Sequence, residues 1–201
     1  MSQHPEVLSF SILVVCVGNV CRSPQAERLL RLRLDELLAG PGTGAQVESA
    51  GVQALVGNAM DPASAQELVR LGGDPDGFVS RQLADAHLEG ADLVLTATKE
   101  LRSRVLQDVP SALRRTFTLT EFAALVDPVR ADSLDRLVVA AANRRASAQP
   151  STYNLADPIG ADADVHRDVA DMIDQSVRVI AEAIAAAATA RTTNLGAPEQ
   201  R

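Results

Sequence analysis

Residues 10–17 read FSILVVCV: one serine aside, the run is apolar and β-branched and lacks the polar alternation of a half-exposed strand. Such a run fits a strand buried on both faces, the situation of a parallel sheet covered by helices on each side. The following segments keep that rhythm. SPQAERLLRLRLDELLAG reads as a helix, from the spacing of Leu29, Leu30, Leu34, Leu37 and Leu38. Ser23 falls in its N-cap region, Pro24 at its first helical position and Gly40 at its stop. AQVESAG is a second strand, DPASAQELVRLGG a second helix and GADLVLTAT a third strand, followed by a helix over 99–107. RRTFTLTEFAAL gives a fourth strand running into a short helix, and a last helix over 163–190 carries Val165, Val169, Met172, Ile173, Val177, Ile180 and Ile184 on one stripe. Strands alternating with helices predict an α/β fold. It is a three-layer doubly wound sandwich with a central, mainly parallel four-stranded sheet and helices on both faces.

At 201 residues and 46% apolar content, the chain suffices for a single domain with a full core. That domain is expected over 10–187, after an N-terminal extension of 1–9 and before a disordered tail of 188–201. Within it, an inserted helix and loop occupy about 126–154, with Leu134, Leu137, Val138 and Ala141 on one side. The net charge of -7 argues against nucleic acid as a partner. No apolar run approaches a membrane span, and MSQHPEVLSF lacks the basic-then-apolar layout of a secretory signal, so a cytoplasmic setting is expected. The sequence leaves the oligomeric state open.

Both cysteines of the chain, Cys16 and Cys21, lie within six residues at the end of the first strand. They are too close together to staple a chain of this size. Between strand and helix come Gly18 and Asn19, residues that tolerate unusual backbone angles. A loop of this kind can turn successive N–H groups inward as an anion nest, reinforced by the following helix. Arg22 adds a planar clamp for phosphate oxygens. Cys16 would lie on the floor of that electropositive cradle, where the thiolate is favoured and can attack phosphorus in line. No lysine follows in the manner of a nucleotide-binding P-loop.

VCVGNVCRSP resembles the C-x5-R-S signature of the low-molecular-weight protein tyrosine phosphatases, and ESAG, SRQLADAHLEGADLVLTAT and an Asp-Pro pair before the last helix resemble further parts of that family. The resemblance covers roughly 10–125 and 155–187. It implies hydrolysis of phosphotyrosine proteins or small aryl phosphates through a phosphocysteine, with no metal or cofactor. By motif, Cys16 resembles the nucleophile, Arg22 the residue that binds the equatorial oxygens, and Ser23 the hydroxyl that eases departure of the thiolate. The phosphate-binding loop is then Val17, Gly18, Asn19, Val20, Cys21, Arg22 and Ser23, its shape held by Asn19, Ser23 and Ser49. Cys21 resembles the second cysteine that in some members traps an oxidised nucleophile as a disulfide.

The family's general acid is an Asp-Pro aspartate, and the chain has four such pairs, beginning at Asp61, Asp74, Asp127 and Asp157. Asp61 opens a helix and Asp74 sits in a Gly-rich turn, both structural settings. Asp127 stays a candidate, but Asp157 directly precedes the final helix and is preferred as the acid. The aromatics that usually flank the family's cleft are replaced by Leu55 and Ile159, and its supporting histidine by Phe78. Tyr153 reads as an exposed loop residue, and His4, His87 and His166 as surface residues. Two other readings stay open. One is an arsenate reductase coupled to a small external thiol, with inorganic phosphate or arsenate as ligand; the other is a non-catalytic phosphate-binding regulatory module.

Overall fold

The computed structural model describes residues 10–38, 45–126 and 131–195, the side chains of 191–195 excepted. The expected extension 1–9, the helix stop at Gly40, the pair Asp127-Pro128 and the end of the tail lie outside the described residues.

The apolar run at 10–17 contains β1 (Ser11–Cys16), the second strand of the sheet. It pairs in parallel with β2 (Gln46–Gly51) on one side and with β3 (Leu93–Thr96) on the other, and β4 (Thr116–Thr118) extends β3 in the same direction. The order is β2-β1-β3-β4, with Cys16 in register with Gly51. Ile12, Leu13, Val14 and Val15 are all buried, as expected of a strand covered on both faces.

The helices are α1 (Arg22–Leu37), α2 (Pro62–Arg70), α3 (Asp85–Glu89), α4 (Lys99–Asp108), α5 (Leu119–Val126), α6 (Leu134–Asn143) and α7 (Ala163–Leu195). A 3-10 turn at Pro110–Arg115 joins α4 to β4. The step from β1 to β2 runs one way across the sheet and the step from β3 to β4 the other, so right-handed crossovers put α1 and α4 on opposite faces. The carboxyl end of β1 is therefore the point where the winding reverses, and there a doubly wound sheet opens a crevice.

α7 packs along α1 and α5 and buries Val169, Ile173, Val177, Ile180 and Ile184. Each such side chain stabilises the fold by about 1.5–3 kcal/mol. α7 outruns the expected end of the helix near 190 and the expected start of a disordered tail at 188, because the alanine-rich run before it is the best helix-forming sequence available. The segment 126–154 holds the helix expected in it, α6, which packs on α5 and α7. α3, five residues long, is too short to show a helical period in the sequence.

Candidate active site

The loop after β1 is built by turning its carbonyls outward. The oxygens of Cys16, Val17, Gly18 and Val20 accept from the N–H groups of Val52, Gln53, Leu55 and Asp61 at 2.9–3.1 Å. In a trans peptide the N–H points opposite to the C=O, so the N–H groups that follow these carbonyls face the loop's interior. One of them, that of Asn19, donates to Cys16 Sγ at 3.2 Å, which places the sulfur on the floor of the nest. The segment after β2 comes this close because position 51 is glycine: a Cβ there would lie 2.4 Å from the Val17 oxygen.

Asn19 alone among the described non-glycine residues has a positive φ, 54°. Gly18, paired with it in the sequence reading as a residue for unusual angles, is not in the left-handed region. The Asn19 side chain is fully used. Its Nδ2 donates to Ser23 Oγ and Ser49 Oγ, each at 2.9 Å, and its Oδ1 accepts from Arg81 N at 2.8 Å. Ser49 in turn donates to Glu27 Oε2 at 2.5 Å, and Arg81 Nε donates to Ser49 O at 2.7 Å.

α1 begins at Arg22, earlier than the Ser-Pro pair suggests, and Ser23 does not cap it. Its hydroxyl lies 2.9 Å from Cys16 Sγ instead, held there by Asn19. Cys21, at the N-cap, is buried; burial pushes its thiol up to about 12, against the easing effect of a hydrogen bond with Ser64.

Arg22 is only 5% exposed and faces across the loop, where Nη2 pairs with Asp157 Oδ2 at 2.8 Å and Nη1 donates to Leu155 O at 3.2 Å. Among the Asp-Pro aspartates, Asp157 thus stands at the rim of the nest. Asp61 caps α2, accepting from Ser64 N at 3.0 Å, and Asp74 closes a turn on Asp76 N at 2.8 Å. Leu55 lies over Gly18 with half its surface exposed, and Ile159 is equally exposed beside Asp157, whose Oδ1 accepts its N–H at 3.4 Å.

Two expectations fail in their details, those for His166 and Tyr153. His166 is buried on α7, its Nδ1 3.2 Å from Ser64 Oγ and 3.8 Å from Asp61 Oδ1, because it satisfies polar groups where α7 meets α2. Tyr153 is half-buried rather than exposed: Lys99 Nζ stands 3.5 Å from its ring centre and its hydroxyl donates to Ala148 O at 2.9 Å. Phe78, which stands where the resemblance placed a histidine, is buried, with the Arg28 guanidinium 5.9 Å from its ring. Sequence reasoning missed Glu27, Arg81 and Gly51. Only Glu27 left a signal, as a carboxylate on the buried side of α1 beside Ala26 and Leu30. Among the described residues, no group of three or more His, Cys, Asp or Glu is placed to hold a metal ion.

This arrangement offers inward amides and a guanidinium to an oxyanion, with a sulfur beneath it placed to attack. The class so defined is that of cysteine-dependent phosphoric monoester hydrolases. The sequence narrows the class to a family: the model described as low molecular weight phosphotyrosine protein phosphatase matches residues 11–136, and the chain belongs to that family. The low molecular weight protein-tyrosine-phosphatase Ptp of Acinetobacter johnsonii is 32% identical over 124 residues, 61% of this chain and 82% of that protein. Wzb of Escherichia coli K12, with the same description, is 40% identical over 100 residues, 50% of this chain and 63% of its own length. Among solved structures, the YwlE arginine phosphatase of Geobacillus stearothermophilus superimposes with a TM-score of 0.65 at 27% identity, covering 96% of this chain and 99% of that one. The low molecular weight protein tyrosine phosphatase of T. tengcongensis, at 24% identity, shares the fold with a TM-score of 0.67 over 87% of this chain and 99% of its own. No helix among the described residues is long and apolar enough to cross a membrane.

Proposed function

We propose that the protein hydrolyses phosphotyrosine in proteins, or small aryl phosphates, with Cys16 as nucleophile, Arg22 as phosphate clamp and Asp157 as general acid. The observation that carries this reading is the pairing of Arg22 with Asp157 at 2.8 Å at the rim of a loop whose floor is Cys16 Sγ. The phosphoryl group docks on the loop amides and the Arg22 guanidinium. Cys16 sulfur attacks phosphorus in line. The P–O bond to the leaving group breaks, and that oxygen takes the proton of the Asp157 carboxyl. Asp157, now a carboxylate, accepts a proton from water as the water attacks the phosphocysteine; the S–P bond breaks and inorganic phosphate leaves. The Ser23 hydroxyl, 2.9 Å from the sulfur, donates to the departing thiolate. Asn19 and Ser49 keep the loop in shape, and Leu55 and Ile159 flank the substrate by apolar contact. Cys21 is the candidate partner for an oxidised Cys16. A nucleophilic free thiol fits a reducing compartment, which supports a cytoplasmic setting.

The likeness to an arginine phosphatase and the lack of aromatics at Leu55 and Ile159 favour one second reading, a protein phosphoarginine substrate, whose guanidino nitrogen would take the Asp157 proton. Hydrolysis of p-nitrophenyl phosphate tests the chemistry. Cys16→Ser and Arg22→Ala are each expected to abolish it, and activity that survives Cys16→Ser ends the proposal. Phosphotyrosine and phosphoarginine peptides, compared by kcat/KM on one preparation, decide between the substrates.

A further inference from the structure

The stretch that delivers Asp157 has no regular structure between the turn at Arg145–Ser147 and α7, yet apart from its contacts with Arg22 it is fastened at the junction of β3 with α4. Leu155 N donates to Ala97 O at 2.9 Å. Asn154 Oδ1 accepts from Lys99 N at 2.9 Å, and its Nδ2 donates to Glu100 Oε2 at 3.3 Å. Lys99 N belongs to the first residue of α4, one of the helix's orphan donors, so Asn154 completes a cap that Thr98 begins by accepting from Leu101 N at 3.2 Å. The chain's single lysine and single tyrosine then meet beside it, Lys99 over the Tyr153 ring.

Asp157 has two holds, this one and Arg22. The Arg22 hold cannot last through the reaction, because the same guanidinium must turn its donors to the arriving phosphoryl oxygens. What keeps Asp157 in place while it gives up its proton is then the attachment to α4. We propose that Asn154 is the positioning residue for Asp157, using the N-terminus of α4 as a fixed post, with the Lys99–Tyr153 pair as a second fastening. The proposal rests on the reading of Asp157 as the general acid.

The test uses two substrates that differ in their need for an acid, phenyl phosphate and p-nitrophenyl phosphate. Because Asp157 also serves the hydrolysis step that both share, phosphocysteine formation is followed in single turnover, and its saturating rate and half-saturating concentration are measured separately. Asn154→Ala is expected to lower the saturating rate for phenyl phosphate by about 10- to 100-fold, as misplaced catalytic groups do. For p-nitrophenyl phosphate the loss in that rate is no more than about 3-fold, with the half-saturating concentration unchanged for both. In an Asp157→Ala background the same change has no further effect on phenyl phosphate. The exchange variant Asn154→Asp with Glu100→Gln keeps the acceptor for Lys99 N and rebuilds the bond to residue 100 with donor and acceptor swapped, and is expected to restore most of the rate. Lys99→Met keeps the backbone N–H and removes the charge over the ring; it gives the same pattern, smaller.

Equal losses of the formation rate on both substrates, a change confined to the half-saturating concentration, full additivity with Asp157→Ala, or failure of the exchange variant each overturn the positioning role. A variant that merely destabilises the fold falls under the first of these. Indifference of Lys99→Met removes the second fastening. If Asp157→Ala itself shows no preference between leaving groups, the acid assignment falls and this proposal with it, a result distinct from the others.

Discussion

The side-chain amide of Asn19 donates to the Ser49 hydroxyl at 2.9 Å, and this bond joins the loop after β1 to β2 across thirty residues of sequence. Both residues are buried, and Ser49 passes the connection on to Glu27 of α1. Asn19→Ala would remove three hydrogen bonds at once and leave Ser23, Ser49 and the Arg81 N–H without that partner. It would also place alanine at φ 54°, a conformation asparagine tolerates better. The expected loss is about 2–4 kcal/mol of unfolding free energy, read from urea titration, with slower turnover. A loss under about 0.5 kcal/mol would mean that the network is not what holds the loop.

Arg22 and Asp157 make a prediction about inhibitors. In the free protein Asp157 uses part of the guanidinium proposed to clamp phosphate. Because its side chain is 52% exposed, water screens the pair, and it is worth no more than about 1 kcal/mol. Asp157→Ala should therefore slow turnover but tighten competitive inhibition by inorganic phosphate about 2- to 5-fold. Unchanged or weaker inhibition would show that the two residues are not in competition with the ligand.

Much of this was legible because the motif is local. Cys16, Arg22 and Ser23 lie within eight residues around one short loop, so spacing alone brings them together, and a strand followed by a Pro-started helix fixes where that loop sits. That Asp157 comes close to Arg22 was legible by its place before the last helix, whereas the contact proposed to position it was not: Asn154 and Lys99 are 55 residues apart and meet only in the fold. Ser23 had two readings, a helix cap from its place before proline and a partner of the sulfur from the resemblance; its hydroxyl lies by the sulfur and Asn19, and it caps nothing. His166 read as surface because nothing in the amphipathic stripe of α7 marks the position at which α2 covers it.

The two glycines nearest the sulfur should behave oppositely to what their positions suggest. Gly18 sits in the loop itself, yet a Cβ there meets nothing nearer than a Val20 methyl at 3.6 Å. Gly51 sits in β2, and a Cβ there would collide with the backbone of Val17 at 2.4 Å and of Asn19 at 3.0 Å. Gly18→Ala should fold normally, while Gly51→Ala should lose about 1–3 kcal/mol and much of its activity as the loop is pushed off its geometry. Melting curves and p-nitrophenyl phosphate rates on the two variants check this; equal stability would remove the close approach at Gly51 from the account.

Cys21 sets a pH dependence. Burial first, with the Asp61, Cys16 and Asp157 charges adding and Ser64 opposing, moves its thiol from the ordinary value of 9.0 to about 12. At neutral pH it is a protonated thiol, so alkylating reagents should leave it unlabelled in the native protein. For the same reason it should trap an oxidised Cys16 slowly. After a pulse of peroxide, disulfide formation should speed up by about tenfold per pH unit from 7 to 10, because only the thiolate attacks. The sign for stability follows from the same shift. The native chain keeps a proton on Cys21 that the unfolded chain gives up above 9.0, so this group's contribution to stability is complete below that value. It is lost as pH rises through about 12. Cys21→Ala should flatten that fall in urea titrations between pH 9 and 11. A disulfide rate that is flat with pH, or ready labelling of Cys21 at pH 7, would mean that the thiol is not held in its protonated form.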